Sequence, residues 1–425
     1  MARLKLNPKN FIFNRLQSIA ALLISYLIMC LGHGLLNTVL GLRAKTEGYS
    51  DIVVGLMTSS YFLGFIFGAK LCEGLITKVG HIRTFAIFAT LASAVTLFLA
   101  MYVNPISWVV ARLVYGAALA ALYMVMESWL NLITKNEERG QILSFYMITN
   151  YVSIALSQFL INAAEPTNFL LFALASIFLS ISLIPVSASR SPQPQHVESE
   201  HFPLKKLIET SKLSVVGVFS TGAVLGGFWG IRAFYLSQIG MSNDQVAWFI
   251  AAYFIGSLIL QWPLGFISDK VGRRKMIVGI SACLVAVLFL LYVVEYNGTS
   301  SIFYAYLVMS FFFGGLGNTM HSMFIALAND FLKPSQVVKA TGGLISVHAT
   351  GAIIGPLIAA AMMTYIGGQS LMLFFMISVA LVLFFAVYQV FNGRKIPKET
   401  REDFVPLPRM NTILSKLDPR YKKKE

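Results

Sequence analysis

The chain has 425 residues, of which 56% are hydrophobic and only 12% charged, and its mean hydropathy is +0.71. Ordinary soluble domains carry about a quarter charged residues, so the composition is that of a polytopic membrane protein. The net charge of +14 does not point to nucleic acid. The basic residues stand in short clusters beside apolar runs and form no patch interleaved with aromatics.

A bilayer core takes about 20 apolar residues per helix. On that template the predicted spans are 16–40, 52–76, 84–103, 106–132, 140–164 and 168–187, then 213–237, 244–268, 276–295, 301–329, 337–366 and 370–391. The first run is too long for the core of a signal peptide and lacks a small-residue cleavage site, so it is expected to remain as a span. The polar, proline-bearing stretch "SASRSPQPQHVESEHFPLKK" separates the sixth span from the seventh and reads as a linker. The expected organisation is all-α, with a six-helix bundle over 1–187, a linker over 188–212, a second bundle over 213–392 and a basic tail over 393–425. Cys30, Cys72 and Cys283 each lie alone inside an apolar run and read as packing residues, with no metal-ligand spacing and no cofactor implied.

Lys and Arg test the topology. The amino end, the linker, the even-to-odd loops and the tail hold 28 of the 33, against Arg43, Lys45 and Arg232 at the opposite ends, with Lys70 and Arg112 inside spans. Both termini and the linker are therefore expected in the cytoplasm. The two halves are also related. A shift of 192 residues lays Tyr61, Phe62, Gly64, Lys78 and Gly80 on Tyr253, Phe254, Gly256, Lys270 and Gly272. A shift of 198 pairs Gly116 with Gly314, Asn131 with Asn329, and Ser153 and Ser157 with Gly351 and Gly355. Repeats of this kind define many transporter folds.

The stretch "GFISDKVGRRK" at 265–275, with its Asp269, Lys270, Gly272, Arg273 and Arg274, resembles the loop signature of the major facilitator superfamily. Arg112-x3-Gly116-x3-Ala120 resembles the fourth-helix motif of the family's proton-linked members, and "ESWLN" (127–131) with "VGHIR" (79–83) is most similar to the YcaD-like bacterial branch. The resemblance implies twelve helices in two bundles and a secondary transporter of a bacterial inner membrane. It also implies that Asp269 and Arg273 help lock the cytoplasmic side when the protein faces outward. The first-half copy departs from the pattern, with Thr77 at the acidic position, so Glu73, one turn earlier, is the expected substitute beside Gly80 and Arg83. The glycine-proline motif of antiporters is absent from the fifth span and stands in the eleventh as Gly351-x3-Gly355-Pro356.

Charges within spans are costly and therefore functional candidates. Arg112 cannot lose its proton and must face water, a partner or a ligand. Arg232, at a similar depth in the other half, either lines the cavity or snorkels outward. Glu127 either pairs with Arg139 or Arg83 or carries a proton. His33, His321 and His348 are titratable candidates, and His321 lies on a helix that lines the cavity in the family. Tyr123, Trp229, Trp262, Asn37, Asn150, Gln158 and Asn318 complete the expected lining, with ordinary helix packing as the plain alternative.

No Gly-rich Lys-Ser/Thr nucleotide motif is present, and no nucleophile, base and orienting group can be assembled by motif. The expected function is that of a monomeric, proton-coupled secondary transporter, not an enzyme, with its solute site between the bundles near mid-membrane. The outer half of the spans carries Arg112, Arg232 and His33 but no carboxylate, which favours a solute bearing a carboxylate, an anion or a zwitterion. The alternatives are a multidrug efflux antiporter, or a transporter-like receptor or scaffold served by the tail.

Overall fold

In the computed structural model, which describes residues 8–135, 138–189, 203–294, 296–332 and 334–393, each long apolar run winds into a helix because only a helix satisfies its own backbone in lipid. The first half comprises α1 (Pro8–Thr46), α2 (Asp51–Val79), α3 (His81–Met101), α4 (Pro105–Ile133), α5 (Arg139–Phe159) with a 3-10 turn over Leu160–Ala163, α6 (Phe169–Ile181) and α7 (Leu183–Ala188). The short α8 (Leu204–Thr210) precedes α9 (Lys212–Gln238), α10 (Asn243–Val271), α11 (Arg273–Val293), α12 (Ser300–Asn329), α13 (Pro334–Ile366) and α14 (Ser370–Asn392). Twelve helical stretches are long and apolar enough to cross a bilayer, and no strand occurs among the described residues.

The spans follow the expected order with local differences. The first continues to Thr46, where Arg43 and Lys45 complement the negative end of the helix and Arg43 pairs with Glu47 at 2.6 Å. The sixth is broken into α6 and α7 at Ser182. Pro185 lacks an amide hydrogen and its ring crowds the Ile181 carbonyl, which ends the regular helix there. Most of the expected linker and all of the expected tail beyond Gly393 lie outside the described residues.

The internal repeat governs how helices meet. Gly64 lies against the Leu113 carbonyl and Gly116 against the Tyr61 carbonyl, so α2 and α4 cross backbone to backbone. The equivalent crossing of α10 and α12 sets Gly256 on the Phe311 carbonyl and Gly314 on the Tyr253 carbonyl. Gly80 and Gly272, with φ of +83° and +100°, turn the chain between α2 and α3 and between α10 and α11. Only glycine takes that backbone region without strain. Large apolar side chains such as Ile106, Phe266 and Phe384 point outward, as a lipid-facing surface requires.

The halves meet along α1–α9, α2–α13 and α5–α10. Their contacts run from mid-membrane to the end that carries the odd-to-even loops. There Gln238 donates to Asp51 at 2.8 Å, Asn162 to Asp244 at 3.0 Å and Ser59 to the Ile353 carbonyl at 2.7 Å. Deeper in, Tyr151 donates to Gln261 at 3.1 Å. The opposite end, where the basic even-to-odd loops lie, is called the basic end below.

Candidate functional site

Two polar stripes face the space between the halves. On α1 they are Tyr26, Cys30, His33 and Asn37, at steps of four, three and four residues; on α4 they are Arg112, Tyr115, Tyr123 and Glu127. Helical periodicity sets each group on one face. His33 is the hub. Its Nδ1 meets the Tyr115 hydroxyl at 3.2 Å, and its Nε2 meets Asn37 Nδ2 at 3.1 Å. The amide donates, so Nε2 is the acceptor and Nδ1 carries the hydrogen given to Tyr115. Asn37 Oδ1 in turn accepts from Arg112 at 3.0 Å.

Arg112 is only 4% exposed, although no carboxylate pairs with it among the described residues. Its guanidinium lies 4.4 Å above the Tyr61 ring centroid, and one terminal nitrogen has no hydrogen-bond partner. A small cleft of about 10 Å³, room for about one water, adjoins it, lined by His33, Asn37, Thr58, Tyr61, Arg112 and Trp229. Both halves of the chain thus contribute to one cavity.

Arg232 does not snorkel. It is 1% exposed, its guanidinium stands 4.5 Å from the Trp229 ring centroid, and none of its three side-chain nitrogens has a hydrogen-bond partner. Trp229 stacks on His33 with centroids 5.8 Å apart. The two guanidinium groups therefore approach His33 by different routes, Arg112 through Asn37 and Arg232 across Trp229. Burying a cation without an acceptor costs several kcal/mol, of order 3–5 when one partner of a pair is missing. The arrangement is suited to receive an anion.

Glu127 is 1% exposed and accepts from the Tyr146 hydroxyl at 2.8 Å, while its other oxygen has no partner. Arg83, one of its expected ion-pair partners, is exposed and unbonded to it. The Arg139 side chain lies outside the described residues. Tyr146 stands where Arg83 was expected.

Several expected lining residues lie elsewhere. Trp262 is 54% exposed and is not among the residues that line the cleft. Asn318 donates to Ser257 and ties α12 to α10 inside the second half. His321 meets Thr221 at 3.3 Å and stands edge-on to His348, 4.4 Å between centroids, in a cluster of α9, α12 and α13 away from the cleft. Gln158 accepts from Thr38, and Asn150 donates to Tyr26. Tyr123 reaches Cys30 and stands edge-on to His33. Thr58, Tyr61 and Tyr115 are additional residues of the site. Of these Tyr115 carried a signal in its position one turn after Arg112, and Tyr61 in its match to Tyr253 of the repeat.

At the basic end Arg273 is bonded on two sides, to Asp330 at 2.7 Å and to Asp269 at 3.0 Å. Lys270 covers the Phe266 ring, and Arg274 donates to the Gln389 carbonyl at 3.3 Å. These bonds all stay within the second half. Asp330, the more buried partner, is not part of the loop signature and is the stronger anchor. In the first half Glu73 does not take the place of the missing acid: it is exposed and forms no ion pair among the described residues. His81 instead bonds Ser128 at 3.0 Å and tilts against Trp129. Asp330 is 2% exposed and Asp269 22%, so Asp330→Asn is expected to cost about 3 kcal/mol as a broken buried pair. Asp269→Asn should cost about 1 kcal/mol or less as a partly solvated one. Melting curves of the two variants in one detergent read the order, and equal losses would contradict it.

No group of three or more His, Cys, Asp or Glu side chains is placed to hold a metal among the described residues. The model of the Major Facilitator Superfamily matches residues 22–237 and again 214–417. The MFS-type transporter YcaD of Escherichia coli K12 is 26% identical over 350 residues, 82% of this chain and 89% of its own. The YcaD of Escherichia fergusonii is 26% identical over 360 residues, 84% and 91%. Among solved structures the nucleoside transporter NupG superposes with a TM-score of 0.73 at 13% identity, over 88% of this chain and 99% of that one. A bacterial homologue of the lysosomal transporter Spinster, captured inward-facing, gives 0.71 at 13% identity, over 90% and 99%. The human organic anion transporter MFSD10 gives 0.60 at 13% identity, over 88% and 99%. At such identities the structural likeness speaks for the fold alone.

Proposed function

Because this chain belongs to the Major Facilitator Superfamily, we propose that it is a proton-coupled secondary transporter of a small carboxylate-bearing anion or zwitterion, working by alternating access. The observation that carries the reading is the pair of buried arginines, Arg112 and Arg232, one from each half, with no carboxylate paired to either among the described residues. A carboxylate entering the cleft would meet the free nitrogen of Arg112 and, across Trp229, the unbonded guanidinium of Arg232. Charge-assisted, forked hydrogen bonds suit that encounter. A solute held by both halves also favours their closure, which links binding to the conformational change.

The bias of Lys and Arg supports a cytoplasmic position for the basic end, and the membrane is read as the inner one. On that orientation the halves are joined on the outer side, so the conformation is inward-facing, and Asp269, Lys270, Gly272, Arg273 and Arg274 stand at the open mouth as gating residues. Glu127, toward the same side, is the proton-carrying group.

A thermal-shift panel of purified protein against monocarboxylates, dicarboxylates, amino acids and tetraphenylphosphonium tests the solute class. Carboxylates should raise the melting temperature. Arg112→Lys should weaken the best of them about tenfold or more although charge is kept, a loss near one charge-assisted hydrogen bond of about 1.5 kcal/mol. Tight binding of tetraphenylphosphonium that ignores the substitution would overturn the reading in favour of drug efflux. Binding without movement into proteoliposomes would favour a receptor.

A further inference from the structure

Glu127 and Arg112 lie 15 positions apart on α4, about 22 Å along its axis, and touch neither each other nor a common residue. A file of buried hydroxyl and thiol groups fills the interval. Tyr146 donates to Glu127 at 2.8 Å. The Tyr26 ring lies on that of Tyr146, 4.1 Å between centroids and 16° between planes, which sets the two phenols face to face. The Tyr146 hydrogen is committed to Glu127, which leaves the lone pairs of that oxygen as acceptors. Asn150 Nδ2 donates to Tyr26 at 2.7 Å and reaches Cys30 Sγ at 3.6 Å; Cys30 Sγ meets the Tyr123 hydroxyl at 4.0 Å. Beyond Tyr123 the His33 ring stands edge-on, 6.4 Å between centroids.

Phenylalanine would stack as well at positions 26 and 146, and would bury no hydroxyl. Here each buried hydroxyl has a polar partner, Asn150 for Tyr26, Cys30 for Tyr123 and the carboxylate of Glu127 for Tyr146. The groups facing Glu127 are Tyr146 from α5 and, through it, Tyr26 from α1, with Tyr123 one turn earlier on α4. No lysine or arginine is ion-paired to it among the described residues.

We propose that Tyr146 and Tyr26 form a proton wire that connects Glu127 with the His33 end of the cavity, with Cys30 and Tyr123 next in the file. The wire rests on the reading of Glu127 as the proton-carrying group. When Glu127 is protonated it takes the hydroxyl proton of Tyr146, Tyr146 takes that of Tyr26, and Tyr26 takes one delivered by cavity water from the Cys30 and Tyr123 side. Each phenol loses one proton and gains one. The carboxylate becomes the acid, and one net proton leaves the cavity. Tyr26 and Tyr146 act through Glu127 and do not line the solute cleft.

The test needs no solute, because the probe is the proton. Purified protein in lipid is taken through a pH jump while the infrared band of the Glu127 carboxyl, identified by its loss in Glu127→Gln, is followed in time. Tyr26→Phe keeps the ring stack and touches no atom of Glu127. It is expected to leave the amplitude of the titration intact and to slow its rate about a hundredfold, the lower end of what a positioned proton donor contributes. Tyr146→Phe should slow it as much, and Cys30→Ala, which leaves both phenols in place, should also slow it. A purely structural role would alter melting temperature without separating rate from amplitude. Wild-type rates in both phenol variants, with a carboxyl that still titrates, would overturn the wire and leave proton coupling standing. A wild-type carboxyl that does not titrate would overturn both.

Discussion

Glu127→Gln is expected to reduce gradient-driven accumulation to background while solute exchange continues. Glutamine keeps the oxygen that accepts from Tyr146 at 2.8 Å and matches the protonated acid in shape, so α4 and α5 stay joined. What it loses is the capacity to release a proton. Accumulation against a gradient needs that proton to travel with or against the solute; exchange of solute for solute needs only the conformational change. The measurement is uptake into proteoliposomes with and without an imposed proton gradient, using a carboxylate that scores in the thermal-shift panel. Normal accumulation by the variant would remove Glu127 from the coupling mechanism. Loss of monodisperse protein would assign it to structure. An ionisable group inside a span is functional by default, and this one has the Tyr146 hydroxyl as its hydrogen-bond partner.

The second large effect is steric. Gly116→Ala should yield little monodisperse protein, because even a methyl group there would collide with the Tyr61 carbonyl, and the reciprocal contact of Gly64 with the Leu113 carbonyl leaves the two helices no direction in which to give. The cost should exceed the about 1–3 kcal/mol of ordinary overpacking, since the opposing atoms belong to backbone and cannot change rotamer. Because α4 carries both Arg112 and Glu127, separation of the α2–α4 pair also disperses the site. Gly74→Ala is the control. A methyl group there meets nothing within 4 Å, and alanine in a helix interior gains about 1 kcal/mol over glycine. Size-exclusion profiles and melting temperatures of the two variants should diverge sharply. Comparable behaviour would mean that the crossing is looser than its geometry implies.

The twelve spans and their order were legible in the sequence because length and hydropathy are local properties, and the bilayer imposes them run by run. The kinship of the halves was legible for a related reason. Glycines at 64, 116, 256 and 314 mark backbone crossings that no larger residue permits, so their spacing survives in both copies. Arg112, Arg232 and Glu127 were identifiable as singular because a charge in an apolar run stands out against its neighbours.

The partners of these groups were not legible. Tyr146 is one of 17 tyrosines, and only the packing of α5 on α1 brings it to Glu127 in place of Arg83. Asp330 is separated from Arg273 by the whole of α11 and α12, and Trp262 could be placed inside or outside only once the rotation of α10 was fixed. Sequence by itself determined which residues are costly to bury and along which helical face they repeat. Tertiary structure decided which faces meet, because helix rotation in lipid is set by the fit of side chains between helices and not by hydropathy.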